Sequence, residues 1–282
     1  MACSRPVNGF PPRLHVLLAR DSDRAVVIRR GPSKQVCTIL WDRNGDRFET
    51  GQWMRGRIYE RRCDLSPDGE HMIYFAMNGH WKSATGGSWT GISRAPYLRA
   101  VVLLGKGDCW HGGGLFSGRR SYWLNDGYGH KAMREAKELT RDTDFVPPGD
   151  GFGGECPGVY YPRLLRDGWT LVERVAVRGG NARTIFEKPL AHDWVLRKHA
   201  HEQVGAPPGK GCYWDEHELV RDGVVVPKPG WEWAELDRRW LLWAERGVLY
   251  RARLDDERGF TEPAVVRDFN GMRFEALAAP YR

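Results

Sequence analysis

The sequence predicts an all-β protein, a single closed β-propeller over residues 1–282 with five blades and, as the alternative, six. Three observations predict it. A tight turn followed by an apolar strand recurs along the chain, thirteen tryptophans are spread through its 282 residues, and helical periodicity is confined to one short polar segment. At this length an all-β chain commonly forms one domain around one large core.

The repeating unit is clearest at 63–81, CDLSPDGEHMIYFAMNGHW. Ser66-Pro67-Asp68-Gly69 has β-turn chemistry, with proline presetting φ at the second position, and HMIYFA then reads as a strand. Similar units occur at 21–30 (DSDRAVVIRR), 117–126 (SGRRSYWLND), 166–177 (RDGWTLVERVAV) and 236–254 (LDRRWLLWAERGVLYRARL). Their landmarks Asp23, Asp68, Gly118, Asp167 and Asp237 are separated by 45, 50, 49 and 70 residues, and the first three spacings match a four-stranded blade. The long last interval holds GAPPGKG (205–211) and a further turn at Arg221-Asp222-Gly223, hence the six-blade alternative.

A blade is a small twisted sheet that neighbours must cover on both faces, and large aromatic side chains suit the gaps between blades. Continuous apolar runs such as Val101-Val102-Leu103-Leu104 fit strands covered on both sides. HKAMREAKELTRD, between NDGYG and VPPGDGFGG, is too polar for a core helix, so a short helical excursion is expected near 130–142. Closure of the ring leads us to expect the two ends of the chain to share a closing blade.

LSPDGEHMIYFA (65–76) resembles the SPDG-type blade motif of WD40-like and TolB-like β-propellers, in which the turn precedes an inward strand. The other units keep the turn and strand without Ser-Pro-Asp-Gly, and Gly79-His80 and Trp41-Asp42 fall outside the register of WD40 repeats. The resemblance implies a fold and not an activity.

Net charge is +7 and pI about 9.2, which would suit an anionic partner. Arginine outnumbers lysine 34 to 9, however, and basic residues alternate with acids, as in RIYERRCD, so the pattern is that of a solvated face with local ion pairs. No run approaches the ~20 apolar residues of a membrane helix, and MACSRPVNGFPPR lacks an apolar leader core. Six cysteines without a CxxC pair fit reduced thiols and a cytoplasmic protein.

His111-Gly112-Gly113-Gly114 matches the oxyanion element of esterases, but the serine pattern and βα alternation that such an enzyme needs are missing. GxGxxG at 149–154 lacks a strand before it and a helix after it, and GAPPGKG is one residue short of a phosphate loop and ends in Gly211. His199 and His201 would share a strand face and could meet Asp193, Glu202 or His217 at a metal, yet a hydrogen-bonded or solvated pair at a strand end is the reading preferred. Cys156 lies beside Glu155 in a glycine-rich loop with no identifiable base. Glu155, Asp215, Glu216, Glu218 and Glu232 stand among Tyr160, Tyr161, Trp214, Trp231 and Trp233, a composition that a sugar cleft with paired carboxylates would share.

The expected function is therefore non-catalytic recognition of a macromolecule, a protein first, with no cofactor, no metal and no catalytic residue assigned. The alternatives are a hydrolase using paired carboxylates and a nucleic-acid-binding accessory protein. The loops at 107–113, 125–130, 153–161 and 211–217 combine glycine turns with aromatics, acids and histidines, and loops on a rigid scaffold are where recognition concentrates. Trp110, His111, Tyr128, His130, Glu155, Tyr160 and Trp214 are the expected contact residues on one face.

Overall fold

The recurring turns mark one sheet each. The computed structural model describes residues 10–32, 34–149, 151–177, 181–207, 210–255 and 259–281, and strands make up 49% of the chain, arranged as five sheets. The fold class is all-β.

The first sheet is an antiparallel meander of β1 (Arg13–Leu18), β2 (Arg24–Arg30), β3 (Gln35–Asp42) and β4 (Arg47–Arg55). The second opens with two short strands, β5 (Arg57–Ile58) and β6 (Asp64–Leu65), which both pair with β7 (His71–Met77). β8 (Ser88–Arg94) and β9 (Ala100–Gly105) extend it. The third sheet is smaller, with β10 (Gly114–Phe116) against β11 (Ser121–Leu124). The chain then returns as β12 (Lys131–Arg134) to the outer edge of sheet two beside β9, and β13 (Thr140–Arg141) pairs in parallel with β11.

Helix α1 (Pro157–Arg166) leads into the fourth sheet, which is β14 (Thr170–Val177), β15 (Asn181–Pro189), β16 (Val195–Glu202), β17 (Tyr213–Arg221) and β18 (Val224–Pro227). The fifth is β19 (Trp233–Asp237), β20 (Trp240–Glu245) and β21 (Val248–Asp255), with β22 (Gly259–Phe260) and β23 (Ala264–Asp268) both on β21.

Asp23, Gly118 and Asp237 each lie at the turn that leads into the second strand of a sheet, and Asp68 at the turn into β7, on which β5 and β6 both pair. In the SPDG turn, Ser66 Oγ donates to Asp68 Oδ1 at 2.6 Å and accepts from the His71 amide at 2.9 Å, while Gly69 takes φ +72°. That hydroxyl and carboxylate stand in for the missing ladder partners of the turn. The fourth sheet differs: Asp167 caps α1, so a helix stands where the other sheets have a first strand.

Two expectations fail. Residues 130–142 hold no helix: β12 is an exposed edge strand, because pairing with the free edge of β9 outweighs the helix propensity of KAMREAKEL. The one α-helix among the described residues is α1 instead, in a stretch read from sequence as a loop. Nor, among the described residues, do the first and last strands share a sheet, since β1 pairs with β2 and β23 with β21.

Four apolar clusters join neighbouring sheets. Leu17, Val26 and Ile28 of sheet one pack with Met72, Tyr74 and Leu65 of sheet two; Ile73 and Val102 of sheet two pack with Phe116 and Tyr122 of sheet three. Tyr160 and Leu164 of α1 pack with Phe186, Leu196 and Leu219 of sheet four and with Trp231 and Trp243 at sheet five. Trp233, Leu242 and Phe269 then pack back on Leu14, Val27 and Trp41 of sheet one.

Residues 269–281 leave sheet five and cross sheets one and two. Arg29 donates to the carbonyls of Phe269 at 2.8 Å and Met272 at 3.3 Å, Phe274 packs on Trp53, Gln52 donates to the Leu277 carbonyl at 2.9 Å, and Tyr281 donates to the Arg99 carbonyl at 2.8 Å.

Candidate functional site

β1 and β19 run in the same direction through the molecule. The start of β1 and residues 229–232 just before β19, with Tyr213, Trp214 and Asp215 of β17, line a cleft of about 220 Å³, and the end of β1 and most of β19 line a larger cavity of about 770 Å³. The structure therefore has a loop end at the small cleft and a turn end at the large cavity, with a buried polar cluster between them.

The four loops singled out in the sequence meet at the loop end. The strand pair β10–β11 brings the first two together, Gly112 donating to the Asn125 carbonyl at 2.8 Å and Asn125 to the Gly113 carbonyl at 3.0 Å. Asn125 Nδ2 reaches the Gly154 carbonyl at 3.1 Å, which attaches the third loop. The Tyr213 hydroxyl donates to Glu155 and so attaches the fourth. Arg62 sits beneath all of them, donating to the carbonyls of Cys109 at 2.7 Å and His111 at 2.5 Å, with Glu155 at 3.5 Å. Gly113, at φ +74°, passes so close to the Arg62 backbone that a side chain there has no room.

The seven expected contact residues divide. Trp110 is 53% exposed and Tyr128 59%, with Lys106 Nζ 4.5 Å from the Tyr128 ring centroid and His111 packed edge-on against that ring at 5.5 Å. Glu155 is partly buried and held by Tyr213 and Arg62. Trp214 is partly buried and stacks on His201 at 3.8 Å, with Lys210 over its face. His130 is not a surface group: its Nδ1 meets Asp126 Oδ1 at 2.8 Å and its Nε2 meets Thr90 Oγ1 at 3.2 Å, so it braces the loop from inside. Tyr160 is 1% exposed, because it lies on the inward side of α1.

Tyr160 belongs instead to the buried polar cluster. Its hydroxyl donates to Asp215 Oδ2 at 2.7 Å and accepts from Lys198 Nζ at 3.0 Å. Burial alone would raise Asp215, but Arg61, 3.3 Å away, and Lys198 outweigh it and hold the carboxyl at about 2. Burial pushes Lys198 down to about 8. His217 donates from Nδ1 to the Trp231 carbonyl, and burial together with Lys198 pushes it down to about 3, so it is neutral. Burial and then Arg163 keep His15 well below its ordinary value; its Nε2 therefore accepts from Arg163 Nη2 at 2.8 Å.

The other sequence candidates are occupied by local partners. His199 lies 3.1 Å from Glu218 and His201 3.1 Å from Glu216, and among the described residues no three His, Cys, Asp or Glu side chains gather as metal ligands. Cys156 is buried at the start of α1, and burial raises its thiol. Of the five acids, Glu155, Asp215, Glu216 and Glu218 are engaged as above, and Glu232 accepts from the Leu14 amide while burial raises it to about 7. In His111–Gly114 the amides of Gly112 and Gly113 are taken by the Asn125 carbonyl and Thr90 Oγ1. A helix does follow the glycine run at 149–154, beginning at Pro157, but residues 142–149 contain no strand and Asp150 lies outside the described residues. Pro208 and Gly209 of GAPPGKG, and Cys3, also lie outside them.

No family model matches this chain, and no curated protein matches it. Among solved structures, Kuenenia stuttgartiensis hydrazine synthase is similar at 8% sequence identity and a TM-score of 0.33, covering 89% of this chain and 79% of that one. A likeness at that score carries no argument about fold or function.

Sequence reasoning missed Trp81, which is 57% exposed. Its loop lies against the first of the four, where Gly86 packs on the Gly107 backbone. The signal was present, since NGHWKSATGG has the same mixture of glycine and tryptophan as the loops singled out. The buried set of Arg61, Arg163 and Lys198 had no comparable signal, because each comes from a different element.

Proposed function

We propose that the five sheets close into one five-bladed propeller, a single domain, and that it is a non-catalytic platform recognising a protein partner through its loop end. Support for closure comes from the apolar clusters, which join sheet one to two, two to three, four to five and five to one, and from Asp64, which ties Phe116 of sheet three to Arg166 of α1 at the entry to sheet four. Ion pairs between Arg43 and Asp237 and between Arg238 and Asp23 support the same seam. The five described cysteines are free thiols, which fits a reducing cytoplasm.

The observation that carries the functional reading is the exposure of three large aromatic residues, Trp81, Trp110 and Tyr128, on adjoining loops. Each loop is tied down by backbone hydrogen bonds, so the rings are displayed by a rigid frame. Tryptophan and tyrosine in such positions are the residues that most often anchor a protein interface. Affinity purification from the native host followed by mass spectrometry identifies the partner. Trp110→Ala and Tyr128→Ala should then each weaken binding by about 1 kcal/mol or more. Unchanged affinity in both folded variants, or capture of nucleic acid in place of protein, would overturn the reading.

A further inference from the structure

The cavity of about 770 Å³ opens at the turn end, away from the aromatic loops, between β1, α1, β16 and β19. Its rim is charged but internally neutralised. Arg43 pairs with Asp237 and Arg238 with Asp23; Lys188 meets Glu235 at 2.5 Å, and Arg166 meets Asp64 at 2.6 Å and Asp167 at 2.8 Å.

Two cations deeper in the wall have no such partner. Lys198 is 1% exposed and Arg163 5%, and among the described residues neither forms an ion pair with a carboxylate. The Lys198 ammonium has three protons and donates one, to the Tyr160 hydroxyl at 3.0 Å. Arg163 donates from Nη1 to the carbonyls of Glu60 and Cys63 and from Nη2 to His15. That leaves its Nε–H and one Nη2–H without an acceptor among the described residues, charged donors of the kind that a carboxylate or phosphate accepts. Both cations touch the same ring: Arg163 Cζ is 5.3 Å and Lys198 Nζ 5.4 Å from the Tyr160 centroid.

Burying a cation with no carboxylate in contact is unfavourable, and Asp215 reaches Lys198 only across the Tyr160 hydroxyl; an anion drawn into the cavity would offset that cost. Apolar side chains, among them Leu18, Leu164 and Trp233, complete the lining, and the volume is that of an ordinary small-molecule site. We propose that this cavity binds a small organic anion, with its carboxylate or phosphate head between Lys198 and Arg163 and its apolar body against Leu18, Leu164 and Trp233. The site is separate from the loop end and does not depend on the function proposed for it.

Titration calorimetry on the full chain tests this, with benzoate and phenyl phosphate as probes, benzyl alcohol and benzylamine as neutral and cationic counterparts, and inorganic phosphate as a bare head group. The expected result is single-site binding of benzoate or phenyl phosphate with Kd below about 1 mM, no measurable binding of the two counterparts, and inorganic phosphate weaker by about tenfold or more. The tighter of the two aromatic anions identifies the head group. Lys198→Met removes the charge, keeps most of the side-chain volume, and should weaken binding by about tenfold or more. Leu236→Trp, at a partly buried position of the lining, leaves both cations in place and should block binding in a chain of unchanged circular dichroism, so the proposal stays testable if Lys198→Met fails to fold. Benzyl alcohol binding as tightly as benzoate, inorganic phosphate binding as tightly as phenyl phosphate, no binding of either aromatic anion, or native affinity in a folded variant would each overturn it.

Discussion

Tyr160 on α1 and Asp215 on β17 meet at 2.7 Å across 55 residues of sequence, and the same hydroxyl accepts from Lys198. One phenol therefore links a helix to two strands of sheet four inside a site that water hardly reaches. Tyr160→Phe keeps the ring and removes both bonds, leaving Lys198 without a hydrogen bond and Asp215 to Arg61 alone. The expected loss is about 1–3 kcal/mol of stability, read as a lower urea midpoint at unchanged slope. A midpoint equal to that of the native chain would show that the hydroxyl is dispensable.

His217 makes stability pH-dependent. It is held at about 3 when folded, against about 6.5 in an unfolded chain. The unfolded state takes up a proton below 6.5 while the folded state does not, so this contribution is complete above 6.5 and is lost as the pH falls toward 3. Compared with His217→Gln, the native chain should lose roughly 1.4 kcal/mol more per pH unit below 6.5. Glu232, raised to about 7, contributes in the opposite sense, losing stability as pH rises from its ordinary value. The difference between the two chains isolates the histidine, and parallel curves would refute the assignment.

Asp64 joins three elements, accepting from the Phe116 amide of sheet three at 2.7 Å and from Arg166 of α1 at 2.6 and 2.9 Å. Asp64→Asn keeps the shape but leaves a buried guanidinium with only Asp167. A loss of about 3–5 kcal/mol is expected, the cost of removing one partner of a buried pair. Thermal unfolding of the variant measures it, and a near-neutral effect would mean that Asp167 alone suffices for Arg166.

Thiol reactivity follows burial. Cys109 and Cys212 are exposed, whereas Cys37, Cys63 and Cys156 are buried, and burial raises all three, Cys37 to about 12. Titration of the native chain with a chromogenic disulfide, followed by peptide mapping, should modify Cys109 and Cys212 quickly and the other three only on unfolding. Rapid native labelling of Cys156 would contradict its placement at the start of α1.

Most of the sheet plan was legible because turns carry their own chemistry. Asp23, Asp68, Gly118, Asp167 and Asp237 each precede a strand, one in each of the five sheets. The errors came where tertiary structure overrides local preference. KAMREAKEL has helix-forming residues but lies on the open edge of β9, and PGVYYPRLLR has two prolines and two β-favouring tyrosines but forms a helix that buries Tyr160, Tyr161 and Leu164. Pro157 at the first helical position was the available clue. At the loop end, glycine and tryptophan content located the loops but could not tell exposed Trp110 from buried Tyr160. Lys198 follows Arg197 directly and stands on the face of β16 that carries Leu196 and Ala200, but its charge hid that placement in the sequence.

Residues 269–281 leave sheet five and reach sheet two at Tyr281, so every contact they make on sheets one and two is an intramolecular binding event. Covalent attachment gives such a segment an effective concentration of order mM. Contacts too weak to hold a free peptide are enough to keep it seated. Cut from the chain and offered back in trans, the same residues would bind as an ordinary weak ligand, and the seams between sheets five, one and two would then depend on its concentration.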